Sequence, residues 1–133
     1  MHDTRTSEPI VKVLNSLRNQ VTGVSESVVS TADGLLVASD TEAAQPESIA
    51  ALAAAALSLG RRMAQETDTG VLREVVTRSA EGHVVLLAVG DRAILTIIGD
   101  SGLDFTALHR DVPATLDRLA RILAEDGAEN ATE

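Results

Sequence analysis

Cysteine, tryptophan and tyrosine are absent from the 133 residues, and Phe105 is the single aromatic side chain apart from histidine. Without cysteine there is no disulfide framework, no thiolate metal site and no thiol nucleophile, a composition that fits a reducing cytoplasm. Without aromatic rings, a pocket for a flat cofactor or a sugar lacks its stacking surface, and single-stranded nucleic acid lacks its platform. Positive charge is scarce as well: 11 Lys and Arg stand against 20 Asp and Glu, a formal net charge of −9. A phosphate backbone is gripped by a basic stripe, so nucleic acid is the wrong partner. No apolar run approaches the roughly 20 residues of a membrane span, and "MHDTRTSEP" leads into no signal core. The expectation is a soluble, unexported, cytoplasmic chain with no membrane insertion.

What is present suits one compact domain. The chain is 44% hydrophobic, and at this length roughly 65–70% of the unfolded surface is buried on folding, enough for a core without staples. That core is assembled from Val, Leu, Ile and Ala. Residues 1–8 read as a flexible tail. The acidic 125–133 segment, four acids and no base, reads as a solvated, disordered one. The folded unit is therefore placed at 9–124.

Pro9 sits where the first turn of a helix tolerates it. Ile10, Val13, Leu14, Leu17 and Val21 follow at helical spacing, with Lys12, Asn15 and Arg18 opposite and Gly23 as the stop. Val28–Thr31 and Leu35–Ala38 flank Asp33-Gly34, a strong hairpin signal that predicts a type I′ turn with positive φ at both residues. Pro46 opens "PESIAALAAAALSLGRRMAQE", a helix by propensity. Ile49, Leu52, Ala53, Ala56 and Met63 form one stripe of it. Ala50, Ala51, Ala54, Ala55 and Leu57 make the remainder almost as apolar, so the helix is predicted to be covered on more than one side. Three strands follow, 71–78, 83–89 and 92–98, joined tightly at Glu81-Gly82 and Gly90-Asp91 into an antiparallel meander. The last two are almost continuously apolar, as strands covered on both faces are, whereas 71–78 is more polar, as an edge strand is. Phe105, Leu108, Val112, Leu116, Leu119 and Leu123 define a last helix. Pro113 either kinks that helix or marks its start with Asp111 as N-cap.

The resulting order, α-β-β-α-β-β-β-α, predicts an α/β (α+β) sandwich. Its five-stranded antiparallel sheet carries the terminal helices on one face and the alanine-rich helix on the other. One helix cannot cover a five-stranded face, and this helix is apolar all round. Both facts predict a second copy of the chain packed across a dyad. The predicted interface takes Ala50, Ala51, Ala54, Ala55 and Leu57 from the helix, and Val71, Leu72 and Val75 from the edge strand, where sheets join between subunits. Replacing Ala54 or Ala55 with Arg is predicted to split or unfold that dimer.

The chemical signals are weaker than their structural readings. Asp33 is explained by its turn. "GDSG" at 99–102 superficially matches a serine-nucleophile segment, but no base or orienting acid is placed to converge on Ser101, and it reads as a loop. His2, His83 and His109 form no ligand-spaced pair, and no phosphate loop of the G-x-x-x-x-G-K-[ST] type occurs. No catalytic residue, metal or cofactor is expected, and the chain reads as a non-enzyme. Arg61 and Arg62 are read chiefly as complements of the helix C-terminal dipole. The alternative is contact with an acidic partner or with the phosphates of a GTPase.

"GVSESVVSTADGLLVAS", the alanine-rich "IAALAAAALSLGRRM", "GHVVLLAVGDRAILTII" and the closing leucine helix together resemble the roadblock / dynein light-chain family, in its bacterial branch. The resemblance spans about residues 10–124. It implies a profilin-like sandwich that homodimerises through the middle helix and third strand. The function it implies is a non-catalytic adaptor or scaffold that binds and regulates a small Ras-like GTPase in a bacterial signalling system, with a sensor kinase as a further component. It transfers no catalytic residue. The competing readings are a small-ligand sensor module and a purely structural dimerisation domain.

Overall fold

The computed structural model describes the backbone of residues 4–132 and the side chains of residues 7–126. Its elements are α1 (Thr4–Gln20), β1 (Val24–Thr31), β2 (Leu36–Asp40), α2 (Pro46–Glu66), β3 (Val75–Ser79), β4 (Gly82–Val89), β5 (Ala93–Asp100) and α3 (Phe105–Thr132). The strands form one five-stranded antiparallel sheet in the order β2-β1-β5-β4-β3. Two hairpin-type units, β1–β2 and the β3–β4–β5 meander, are joined by the long-range β1–β5 pairing, Val29 opposite Leu95. The α+β sandwich expected from the residue pattern is the one found, with β3 and β2 as the two edges.

Directly paired residues share a face of a sheet, so the register sorts the core. Val29, Leu95, Ile97, Val85 and Leu87 face α1 and α3, where Ile10, Val13, Leu14, Leu17, Leu108, Val112 and Leu119 complete the main hydrophobic core. The apolar stripes of both terminal helices point there, as their spacing predicts. Ile94 and Leu86 face the other way, meeting Ala53 and Leu57 of α2 in a much smaller cluster. Burying each Leu or Ile contributes on the order of 1.5–3 kcal/mol. The α1–α3 side therefore carries most of the hydrophobic stabilisation.

Several boundaries differ from those read in the sequence. Helix α1 starts at Thr4, with Pro9 inside it, so the backbone of residues 4–8 is helical. Helix α3 continues to Thr132, through most of the segment read as an acidic tail; Met1–Asp3 and Glu133 lie outside the described residues. Asp111 is not its N-cap. Helix α3 begins beyond Asp104, whose Oδ1 accepts a hydrogen bond from the Ala107 N–H at 3.0 Å, and Pro113 lies within it. Phe105, Ala107, Leu108 and Val112 already pack on the core, so packing keeps the first two turns helical despite the N–H that Pro113 lacks. Strand β3 starts at Val75 rather than at 71, because residues 71–74 belong to the connection from α2, and it ends at Ser79.

The β1–β2 turn also departs from expectation. Gly34 has φ +97, but the only non-glycine with positive φ among the described residues is Asp68, so Asp33 is not left-handed. The Gly34 N–H donates to Thr31 O at 3.0 Å and the Thr31 N–H to Leu35 O at 2.8 Å, closing a longer loop than a type I′ turn. The Thr31 hydroxyl donates to Asp33 Oδ1 and accepts from the Leu35 N–H at 2.9 Å. Asp33 is a turn residue, as read, but by side-chain bonding rather than by a left-handed backbone.

Candidate functional site

Helix α2 is apolar on two opposite sides. Ala50, Ala53 and Leu57, at 0%, 3% and 2% exposure, face the sheet. At 3.6 residues per turn, Leu52, Leu59 and Met63 fall at i, i+7 and i+11 on the outer side, and they are 66%, 68% and 65% exposed. This stripe runs beside the α2 flank that meets the sheet edge: a Cβ on Gly60 would lie 2.8 Å from Val75 Cγ2 and 3.1 Å from Leu72 Cδ2. Strand β3, which pairs only with β4, presents its other edge on that same side. An aliphatic helix stripe next to an open strand edge is the principal unsatisfied surface of the described residues.

The residues predicted to face a second copy are thereby divided. Ala51, Ala55 and Val71 are exposed, Val71 at 93%. Ala54, Leu72 and Val75 are half-buried against the small α2 cluster. Ala50 and Leu57 are inside the protomer and are no part of its outer surface. The residues that sequence reading missed as surface are Leu52, Leu59 and Met63. Their common phase was the available signal, but alanine at nearly every other position masks which side of α2 faces the sheet.

The dipole role read for Arg61 and Arg62 is not the arrangement found. Helix α2 runs on to Glu66 and has no basic residue in its last turn. Its C-terminal carbonyls are met instead by Thr67, whose N–H and hydroxyl both donate to Met63 O, at 3.0 and 2.7 Å. Arg61 and Arg62 are exposed and form no ion pair among the described residues. Arg61 lines a cleft of about 760 Å³ between the end of α2 and the β4–β5 turn, with Asp68, Val71, Leu72 and Asp91.

The N-terminal end of α2 is anchored from the sheet. Glu26 Oε2, on β1, accepts the backbone N–H groups of Glu42, Ala43 and Ala44 at 2.6, 3.0 and 3.1 Å. Partial desolvation pushes this carboxyl up, but the three donors together outweigh it and hold its pKa below the ordinary value.

The polar groups with a chemical reading are occupied structurally. Asp100 Oδ1 accepts from the Gly102 N–H at 2.8 Å, and Ser101 meets neither a histidine nor a carboxylate among the described residues. His109 Nε2 lies 2.8 Å from Glu74 Oε1, tying α3 to the segment before β3. Phe105 packs between His83, 5.3 Å away between ring centroids, and the Arg78 guanidinium at 4.4 Å. Among the described residues no group of three or more His, Asp or Glu is placed to hold a metal ion, and no helix is long and apolar enough to cross a membrane.

Known proteins place this architecture. A model of the Roadblock/LC7 domain family matches residues 10–99. No curated protein sequence matches the chain. Among solved structures, a Roadblock/LC7 domain from Streptomyces avermitilis superimposes with a TM-score of 0.79 at 21% identity, over 85% of this chain and 96% of that one. Myxococcus xanthus MglB gives 0.81 at 18% identity, over 94% of each chain. Profilin IB of Acanthamoeba castellanii gives 0.53 at 15% identity, over 74% of this chain and 86% of that one. At these identities the likeness is one of fold, and the fold is profilin-like.

Proposed function

We propose that this chain, which belongs to the Roadblock/LC7 family, is a homodimeric, non-catalytic adaptor that binds and regulates a small Ras-like GTPase. The observation that carries the pairing is the aliphatic stripe of α2, Leu52, Leu59 and Met63 about two-thirds exposed, beside the open edge of β3. Leaving such a stripe in water forgoes about 25 cal/mol for each Å² of apolar surface, and a second copy buries it without any change of fold. In this reading Ala51, Ala55, Val71, Leu72 and Val75 lie at or beside the contact. A pairing of β3 with β3 continues the sheet across the dyad.

The GTPase partner is supported by family membership. Arg61 and Arg62 are the proposed contacts to it, since both are exposed and neither forms an ion pair among the described residues. The proposed setting is the bacterial cytoplasm, with a sensor kinase as a further component.

Two measurements test the proposal. Sedimentation at micromolar concentration is expected to show a dimer. Mixing with small Ras-like GTPases in their GDP and GTP-analogue states is expected to show association that depends on the nucleotide. Association weakened by Arg61→Glu with Arg62→Glu, with the dimer intact, is the expected result for the arginines. A stable monomer removes the pairing, and no association in either nucleotide state removes the partner.

A further inference from the structure

The two sides of the sheet are held by very different means. On the α1–α3 side lie most of the largest fully buried side chains, including Leu14, Leu17, Leu95, Ile97, Leu108 and Leu119. On the α2 side the buried apolar residues are fewer: Ala50, Ala53 and Leu57 of the helix over Val28, Leu86 and Ile94 of the sheet. Alanine contributes little area to such a contact, so Leu57 is the one large α2 side chain fully buried there.

The floor beneath α2 is also polar. Thr96 pairs with Leu86 and Ser30 pairs with Ile94, which places both hydroxyls on the α2-facing side. Ser30 is 0% and Thr96 1% exposed, and neither hydroxyl has a hydrogen-bond partner. On the other side of the sheet Ser27, opposite Ile97, is the one hydroxyl in the same state among the described residues, beneath a far thicker apolar layer. A buried hydroxyl without a partner weakens the layer that covers it, because lifting that layer restores the hydroxyl's bond to water. Among the described residues no side chain of α2 forms a hydrogen bond or ion pair with the sheet. The loop before α2 is held to β1 through the Glu26 carboxylate, whereas the Thr67 cap after it bonds to carbonyls of α2 itself and ties its C-terminal end to no other element.

We infer that α2 is a separately releasable layer, lifting from the sheet while β5, α1 and α3 remain folded. Its seat is adjustable because it combines a thin aliphatic contact with unsatisfied hydroxyls, whereas the opposite layer opens only when the whole domain unfolds. A partner that grips the outer stripe acts on this element. If it prefers a displaced α2, it shifts the population toward that position. The inference is argued from the sheet-facing side of α2, whichever partner covers its outer side.

Native-state hydrogen exchange, read by mass spectrometry on the full chain, tests it. In the unsubstituted protein, α2 amides are expected to exchange at least ~10-fold faster than those of α1, α3 and β5. Thr96→Val removes one unpartnered hydroxyl with little change of shape, and is expected to slow α2 exchange roughly tenfold while leaving α1 and α3 unchanged. Leu57→Ala is expected to accelerate α2 alone. Exchange of α2 as slow as that of α3 overturns the inference, and so does a Thr96→Val or Leu57→Ala effect shared equally by all elements. Sedimentation of the same samples reads the pairing proposal separately. A monomer with a fast-exchanging α2 supports the inference while overturning the pairing.

Discussion

Gly23 has φ +94, and a Cβ added to it would lie 2.4 Å from Leu103 Cα and 2.6 Å from Leu103 N. Two independent penalties fall on one atom: a left-handed backbone and a collision with main chain that cannot rotate away. Gly23→Ala is therefore expected to cost about 2–4 kcal/mol in denaturant unfolding, although it adds only a methyl group. Glu26 supplies the acid-side prediction. Its folded pKa is lowered from the ordinary value, so its contribution is complete above the unfolded pKa and is lost as pH falls through the folded one. Glu26→Ala is expected to destabilise by roughly 1–2 kcal/mol at neutral pH, at the modest end because the carboxylate is solvent-accessible. The variant's melting temperature should also fall less steeply than the parent's between pH 5 and 3. Parallel melting profiles for the two proteins would remove this assignment.

At the scale of elements, α2 and α3 show opposite relations between local signal and packing. The apolar stripe of α3 faces the core at each position its spacing predicts, and Asp104 caps it through Ala107. Asp104→Ala is expected to cost about 1 kcal/mol of unfolding free energy. The stripe of α3 is legible because polar residues separate its apolar ones. Helix α2 lacks that contrast, so its sequence establishes a helix without establishing its rotation about the axis. Only contact with Ile94 and Leu86 shows that Ala53 and Leu57 are inside and Leu59 outside.

For the whole molecule, this orientation sharpens the test of self-association. Leu59 is 68% exposed and Ala50 is 0% exposed. Leu59→Glu is expected to yield a folded monomer by sedimentation, with intramolecular stability changed by no more than about 0.5 kcal/mol. Ala50→Arg is expected to unfold the protomer itself, because it buries an unpaired charge against the protomer's own sheet. Ala55→Arg, on the exposed side, is expected to behave like Leu59→Glu. A Leu59→Glu protein that sediments as the parent dimer places the contact elsewhere.

The chain's own residues determined the number, type and order of the elements, because helical and two-residue periodicities are local consequences of backbone geometry. They also determined the two-sided apolar character of α2 and the edge position of β3, since burial of a strand is written in its neighbours' polarity. Only the tertiary structure decided which side of α2 meets the sheet, that Glu26 reaches the loop before it, and that Arg61 and Arg62 form no ion pair among the described residues. Those outcomes depend on contacts between residues far apart along the chain. In a helix made largely of alanine, the local pattern is nearly the same at every rotation, so long-range packing makes the choice.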